Sequence, residues 1–238
     1  GIELSEGCSG ACWFCALSAP RLKAVFPYSV ENARLWRDTL GVLQEFTGPA
    51  AAQGFCYWAT DPLDNPDYEK FAADYRAIVG APPKMTTAFA LKDPPRTRRL
   101  LALAAEQNNR LDRFTIRSLP QLRRLHRLFT PEELLFVELV LQNRESLQIK
   151  TRSGRAVGRP AGDRILPGTA GCITGFLLNM VRRSGRLIAP CEADARHPLG
   201  YLTFAEDRFD SADGLRLLIE RWIARYMPMA LRSEDRLA

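Results

Sequence analysis

At 238 residues the chain is long enough to bury a core of its own, so it needs neither a disulfide framework nor a structural metal merely to fold. An apolar content of 46% with 25% charged residues marks a globular chain; with no secretory signal and no apolar run long enough to span a bilayer among these residues, a protein that is neither secreted nor membrane-spanning is expected. The net charge of +6 leaves acidic partners open, and six cysteines without dense spacing suit a reducing cytoplasm.

The chain enters a strand at once, over Gly1 to Gly7, with no initiator Met, so a natural N-terminal region is expected ahead of it. Cys8, Cys12 and Cys15 follow on the loop after that strand. Ala33, Trp36, Leu40 and Leu43 recur at helical spacing, predicting a helix over Val30 to Phe46 that Gly48-Pro49 ends. A second strand is predicted at Gly54 to Ala59, then a helix over Asn65 to Val79. A third strand is expected over Lys84 to Leu91, and a helix that begins at Asp93-Pro94-Pro95 and runs through Ala105. A fourth strand, Leu111 to Arg117, leads into a basic helix over Leu119 to Leu128. Thr130-Pro131-Glu132-Glu133 has capping-box spacing, and a fifth strand is expected over Leu134 to Leu141.

Alternating strands and helices imply a parallel sheet with right-handed crossovers, here an α/β partial (β/α)6 barrel over 1–143 whose active residues should lie at the C-terminal ends of its strands. Residues 144–170 read as a basic flexible loop: Arg144, Lys150, Arg152, Arg155, Arg159 and Arg164 stand among glycines and prolines with little apolar periodicity. They would make a solvated surface or a handle for an acidic peptide, and they lack the aromatic side chains that stack nucleic-acid bases. Residues 171–238 read as a small α+β extension over the barrel mouth, with a hairpin from Cys172 to Pro190 turning at Arg182 to Gly185, a strand at Tyr201 to Phe204 and a helix from Ser211 to Tyr226.

Thiolates bind soft metals, and three of them on one loop can hold three corners of an iron–sulfide cube. The spacing is CxxxCxxC, with Phe14 before the last cysteine and no fourth cysteine nearby, so one iron would stay open. Zinc more often takes two separated CxxC pairs, and only Cys12 and Cys15 form such a pair.

This motif resembles that of the radical SAM superfamily. The resemblance implies a 4Fe-4S cluster on Cys8, Cys12 and Cys15, S-adenosylmethionine (SAM) on the open iron, and a 5′-deoxyadenosyl radical. It places Ala59, Thr60 and Asp61 where the family carries a Gly-Gly-Glu-Pro motif, with Asp61 accepting from the SAM ammonium. Thr115 and Ser118 then fall to the SAM ribose or carboxylate, and Gln142 and Asn143 to adenine or substrate.

GACWFCALSAPRL, FCYWATDPLDNPDYEKF, CITGFLLNM and APCEADARHPLGY together resemble the proteusin-type radical SAM peptide epimerases, from Gly1 to about Met227. This likeness implies conversion of L to D residues in a ribosomal precursor peptide: a Cα hydrogen is removed and a cysteine thiol returns one from the opposite face. It also implies an external one-electron reductant of flavodoxin or ferredoxin type, and recognition of the precursor by an N-terminal region or a leader-binding protein.

Of the remaining cysteines, Cys191 is the expected donor because Pro190-Cys191 follows the hairpin; Cys172 is the alternative, and Cys56 reads as a core residue. A disulfide between Cys172 and Cys191 would silence either donor, and an auxiliary cluster would need more cysteines. His126 and His197 read as surface or structural residues, and Glu138 as an ion-pair or substrate-backbone partner. A peptide-crosslinking radical enzyme and a non-catalytic zinc or basic binding module are the alternatives.

Overall fold

Local signals place the helices. In the computed structural model, which describes residues 1–104, 112–143, 151–158 and 168–227, the Ser29 hydroxyl accepts from Asn32 N at 3.2 Å to open helix α1, Val30–Thr47, and Gly48 closes it at φ +51. Helix α2, Tyr68–Val79, starts three residues later than its periodicity suggests, because Asp61 first caps a short 3-10 turn over Pro62–Asp64. Helix α3 spans Pro94–Ala104, and α4 spans Leu119–Leu128, as expected, with Ser118 as its cap. Helix α5, Ala212–Tyr226, is capped by Ser211. The expected last residue of α3, Ala105, the start of the fourth strand at Leu111, and residues 144–150 and 159–167 of the basic loop lie outside the described residues.

The first five strands are shorter than their sequence patterns, whereas the strand expected over Tyr201 to Phe204 runs on to Arg208. The first divides into β1, Ile2–Glu3, and β2, Ser5–Glu6; β2 pairs antiparallel with β3, Ala24–Val25, a strand the pattern does not announce. The second is reduced to one parallel bridge, Phe55 to Lys84, with Ile2 N donating to Phe55 O at 2.9 Å. The third keeps only β4, Thr86–Thr87. Strand β5 is Asp112–Ile116, and β6 begins at Val137 rather than Leu134 and ends at Leu141. Strands β4, β5 and β6 form one parallel sheet.

The shortening has a common cause, since buried carboxylates capture the backbone N–H groups that a ladder would use. Glu3 accepts from Ala59 N at 2.9 Å, Asp61 from Ala88 N at 2.8 Å, and Asp112 from Met85 N at 2.9 Å. At the fifth strand the capping box prevails instead: Thr130 N donates to the Glu133 carboxylate at 2.8 Å, and the chain makes helical turns up to Phe136.

The expected C-terminal extension shares a sheet and a core with the N-terminal part. Strand β7, Gly175–Asn179, lies parallel to β1, and β8, Ser184–Pro190, and β9, Tyr201–Arg208, continue antiparallel, giving the order β1-β7-β8-β9. The hairpin turns over 180–183, two residues earlier than expected, with Arg183 at φ +49. Trp222 of α5 joins Trp36, Leu40, Phe71 and Leu178 in the main core; each such side chain contributes about 1.5–3 kcal/mol by leaving water. The fold is thus mixed α/β. Its described residues hold a parallel run on β1, Phe55 and β4 to β6, but not a sixth β/α unit. No helix among them is long and apolar enough to cross a membrane.

Candidate functional site

The cysteine loop is pinched at its base. Cys8 N donates to Pro20 O at 2.9 Å, Lys23 N to Glu6 O at 2.8 Å, and Gly7, at φ +83, passes against the Arg21 carbonyl where a side chain would collide. The loop therefore leaves the C-terminal end of the first strand segment, where active residues are expected in β/α folds.

Cys8 and Cys12 flank Gly10. The Cys8 sulfur accepts from Gly10 N at 3.3 Å, the Cys12 thiol donates to Gly10 O at 3.7 Å, and a Cβ on Gly10 would sit 3.2 and 3.3 Å from the two sulfurs. The Cys15 sulfur accepts from Ala19 N at 3.4 Å. Burial pushes the Cys8 thiol up to about 12 and raises Cys12 as well, with Asp61 adding to both shifts. A bound cation would reverse both shifts by favouring the thiolates.

Among the described residues no three His, Cys, Asp or Glu side chains converge on a single metal ion. An iron–sulfide cube is larger than one ion and takes thiolates that stand apart around it. Gly10 keeps the space between the Cys8 and Cys12 sulfurs free of side chain, so all three thiols are carried on one loop with room between the first two.

Two acids stand behind the loop. Asp64 accepts from Ser9 N at 2.8 Å and from Ser9 Oγ at 2.6 Å, tying the loop to the 3-10 turn. Asp61 is buried, and accepts from Thr87 Oγ1 at 2.7 Å, Ala88 N at 2.8 Å and Leu63 N at 3.0 Å. Burial outweighs these three donors and lifts its carboxyl to about 6. A carboxylate has about four acceptor positions, so these three donors leave one unfilled.

On the other side a cavity of about 750 Å³ opens at the ends of β4 and β5, lined by Phe89, Lys92, Arg117, Ser118, Gln121 and Arg124 among others. It adjoins the cysteine loop: Lys92 Nζ donates to Ser9 Oγ at 3.4 Å, and the Phe89 ring lies 3.6 Å from the Cβ position on Gly10. Lys92 and Arg117 also stand over the Phe89 ring, at 3.7 and 5.4 Å from its centroid.

The remaining expected residues divide. Ser118 spends its hydroxyl on the α4 cap, accepting from Gln121 N at 3.3 Å. Thr115 is half-buried in β5, Gln142 and Asn143 are buried beyond β6, Thr60 is half-buried beside Asp61, and Phe14 packs edge-on against Trp13 with centroids 5.4 Å apart. All six cysteines are free, so no Cys172–Cys191 disulfide forms, and Cys56 is a core residue. Glu138 pairs with Arg113 at 2.7 Å, and His197 lies 3.2 Å from Asp194. Cys172 is near enough to Gly1 to act on its amino group, at the end of β1 away from the cysteine loop.

Cys191 follows β8. A chain of hydrogen-bonded groups, Cys191 to Gly200, Thr169, Thr151, Ser153 and Ala16, leads from it to the cysteine loop. Within the expected flexible loop, 151–158 and 168–170 are described; Ser153 and Ala156 are buried, with Ser153 bonded to the cysteine loop, while Arg152, Val157 and Gly158 are exposed.

Asp64, Lys92, Arg117 and Arg155 were not singled out as site residues by the sequence. Lys92 and Arg117 had a usable signal, since Lys92 directly follows a predicted strand and Arg117 ends one, where β/α units gather functional groups. Asp64 and Arg155 act through contacts 55 and 143 residues away along the chain, which no local pattern carries.

The fold and site define a mixed α/β protein with a three-cysteine loop at the end of its first strand segment, beside the buried Asp61, the half-buried Asp64 and a cationic cavity. No protein-family model matches the chain. It is 42% identical over 236 residues, 95% of its length, to an uncharacterized protein, y4wI, of Sinorhizobium fredii, and spans 46% of that protein, about half of it. Among solved structures, it is similar to the crystal structure of BtrN in complex with AdoMet and 2-DOIA. The likeness covers 62% of this chain and 57% of that one, at 15% sequence identity and a TM-score of 0.46.

Proposed function

We propose that the chain is the catalytic part of a radical SAM peptide epimerase, converting L to D residues in a ribosomally made precursor. The observation that carries this reading is the cysteine loop itself: three thiols at the end of the first strand segment, with Asp61 beside them and Lys92 and Arg117 opposite.

Cys8, Cys12 and Cys15 would hold a 4Fe-4S cluster, and with SAM it would supply removal of a hydrogen atom from a peptide Cα. Asp61 keeps one acceptor position for an ammonium group, a charge-assisted contact in a buried setting. Lys92 and Arg117 offer their charge to a carboxylate across the cavity. Phe89 lies under both cations, its ring 3.7 Å from Lys92 Nζ and 5.4 Å from the Arg117 guanidinium carbon. The Cys191 thiol returns a hydrogen atom to the opposite face of the peptide carbon; the external one-electron reductant and a proton then restore that thiol. Cys191 is preferred over Cys172 because its backbone N–H begins the hydrogen-bonded chain that ties its segment to Ala16 of the cysteine loop.

The test is anaerobic reaction of the iron- and sulfide-reconstituted protein with SAM, reductant and a candidate precursor in deuterated water. Gain of one non-exchangeable deuterium at each altered Cα is expected, and Cys191→Ala should cleave SAM without yielding D residues. Loss of hydrogen with no deuterium gain would instead point to crosslinking. A colourless protein that binds zinc alone would overturn the radical reading.

A further inference from the structure

Arg155 stands in a stretch whose composition reads as a solvated basic loop, yet it lies against the cysteine loop. Its backbone N donates to Cys15 O at 2.9 Å, its Nε to Cys12 O at 2.9 Å, and a terminal guanidinium nitrogen to Ala19 O at 3.0 Å. Ser153, fully buried, donates its hydroxyl to Ala16 O at 3.2 Å. Gly154 adopts φ +55 and passes so near the Ala16 carbonyl that any Cβ would collide with it. Three consecutive residues thus engage the carbonyls of residues 12, 15, 16 and 19, which span the second half of the cysteine motif.

The loop needs such support. Ala11 and Ser18 hold φ +45 and +47, a conformation that residues with a side chain keep only when their surroundings impose it. The base of the loop is pinned by Gly7 and the Cys8 bridge to Arg21, but those contacts end before Cys12. The acid side reaches only Ser9. From Cys12 to Ala19 the clasp is supplied from residues 153–155.

We infer that Arg155, with Ser153 and Gly154, is a positioning residue for the cluster loop: it fixes the peptide planes that set where Cys12 and Cys15 present their sulfurs, and it puts a permanent positive charge beside them. The inference rests on the reading of that loop as a 4Fe-4S site. A guanidinium suits the role because its planar fork donates to two carbonyls in fixed directions, which an ammonium does not reproduce. A cation and hydrogen-bond donors close to a cluster also raise its reduction potential by stabilising the added electron.

The experiment uses the full chain with Arg155→Ala, Arg155→Gln, Arg155→Lys and Gly154→Ala, each checked by far-UV circular dichroism. After reconstitution, Arg155→Ala and Gly154→Ala should lose iron to a chelator at least tenfold faster than the unaltered protein, with a broadened electron paramagnetic resonance signal in the reduced state. Arg155→Gln should lower the cluster's midpoint potential, and Arg155→Lys should restore the potential while losing iron at an intermediate rate. Iron loss and potential unchanged in both Arg155→Ala and Arg155→Gln would overturn the inference. Should the unaltered protein take up no cluster, the radical reading falls, and the clasp is judged by hydrogen exchange of residues 8–19 in the metal-free protein. At least tenfold faster exchange in Arg155→Ala, or in Arg155→Lys if the alanine variant does not fold, supports the clasp; unchanged exchange sinks it.

Discussion

Two cations four residues apart do opposite work. Arg96 points toward α2, where its guanidinium meets both Glu69 oxygens at 2.7 and 2.8 Å and the carbonyls of Leu63 and Asn65 at 3.1 and 2.6 Å. Lys92 lies at the mouth of the cavity, and it, Arg117 and Arg124 have no carboxylate partner among the described residues. Elsewhere on the same helical surface arginines are paired: Arg37 with Asp74, Arg98 with Glu133, Arg99 with Glu69. Helix α4 bordering the cavity carries no acid at all. The Arg96 cluster thus has its counter-charge within the fold, whereas the positive charge lining the cavity is not neutralised by a carboxylate of the described residues.

The largest effect tests the loop between these regions. Alanine at Cys8, Cys12 or Cys15 is expected to abolish the 4Fe-4S absorbance and all SAM cleavage, while the melting temperature of the metal-free protein changes little. Next, Lys92→Ala with Arg117→Ala should weaken SAM or peptide binding about 10- to 100-fold, the worth of losing charged hydrogen bonds of roughly 1.5–3 kcal/mol. Its melting curve should stay in place; a loss of stability equal to that of Arg96→Ala would erase the distinction between the two cations. Arg96→Ala should show the reverse pattern, costing about 2–4 kcal/mol in denaturant unfolding because it leaves Glu69 and two carbonyls without their donor.

Asp61 sharpens the comparison through pH. Burial lifts its carboxyl to about 6 from 3.8, so between those values the folded protein holds a proton that the unfolded chain has released. The stability linked to this group is complete below pH 4, is lost as pH rises to 6, and then stays level, a span on the order of 2–3 kcal/mol. The difference in unfolding free energy between the parent and Asp61→Asn, measured from pH 4 to 7, should trace that fall; a flat difference would mean that the three donors hold Asp61 ionised throughout. The smallest effect belongs to an exposed pair: Arg37→Ala, facing Asp74 at 3.3 Å, should change stability by no more than about 1 kcal/mol.

The helices and the cysteine loop were legible in the sequence. Ser29 and Gly48 bracket α1, Ser118 opens α4, Ser211 opens α5, and the thiols at 8, 12 and 15 are neighbours whatever the fold. Each of these depends on residues within a few positions of one another, and helical periodicity reports on such short distances directly. The strands were overdrawn for the opposite reason: Gly54 to Ala59 and Lys84 to Leu91 have strand composition, but Glu3 and Asp61 arrive from elsewhere in the chain to take their N–H groups.

The sequence by itself therefore determined the α/β class, most helix ends and the three-cysteine loop after the first strand, all products of local composition and spacing. Only the tertiary structure decided that the hairpin extends the sheet of β1, that Asp64 and Arg155 both hold the cysteine loop, and that Arg96 meets the Glu69 carboxylate while Lys92 has no carboxylate partner among the described residues. Those are pairings across tens to hundreds of residues, and a side chain's type states what it can bond to but not which distant group the folded chain will bring to it.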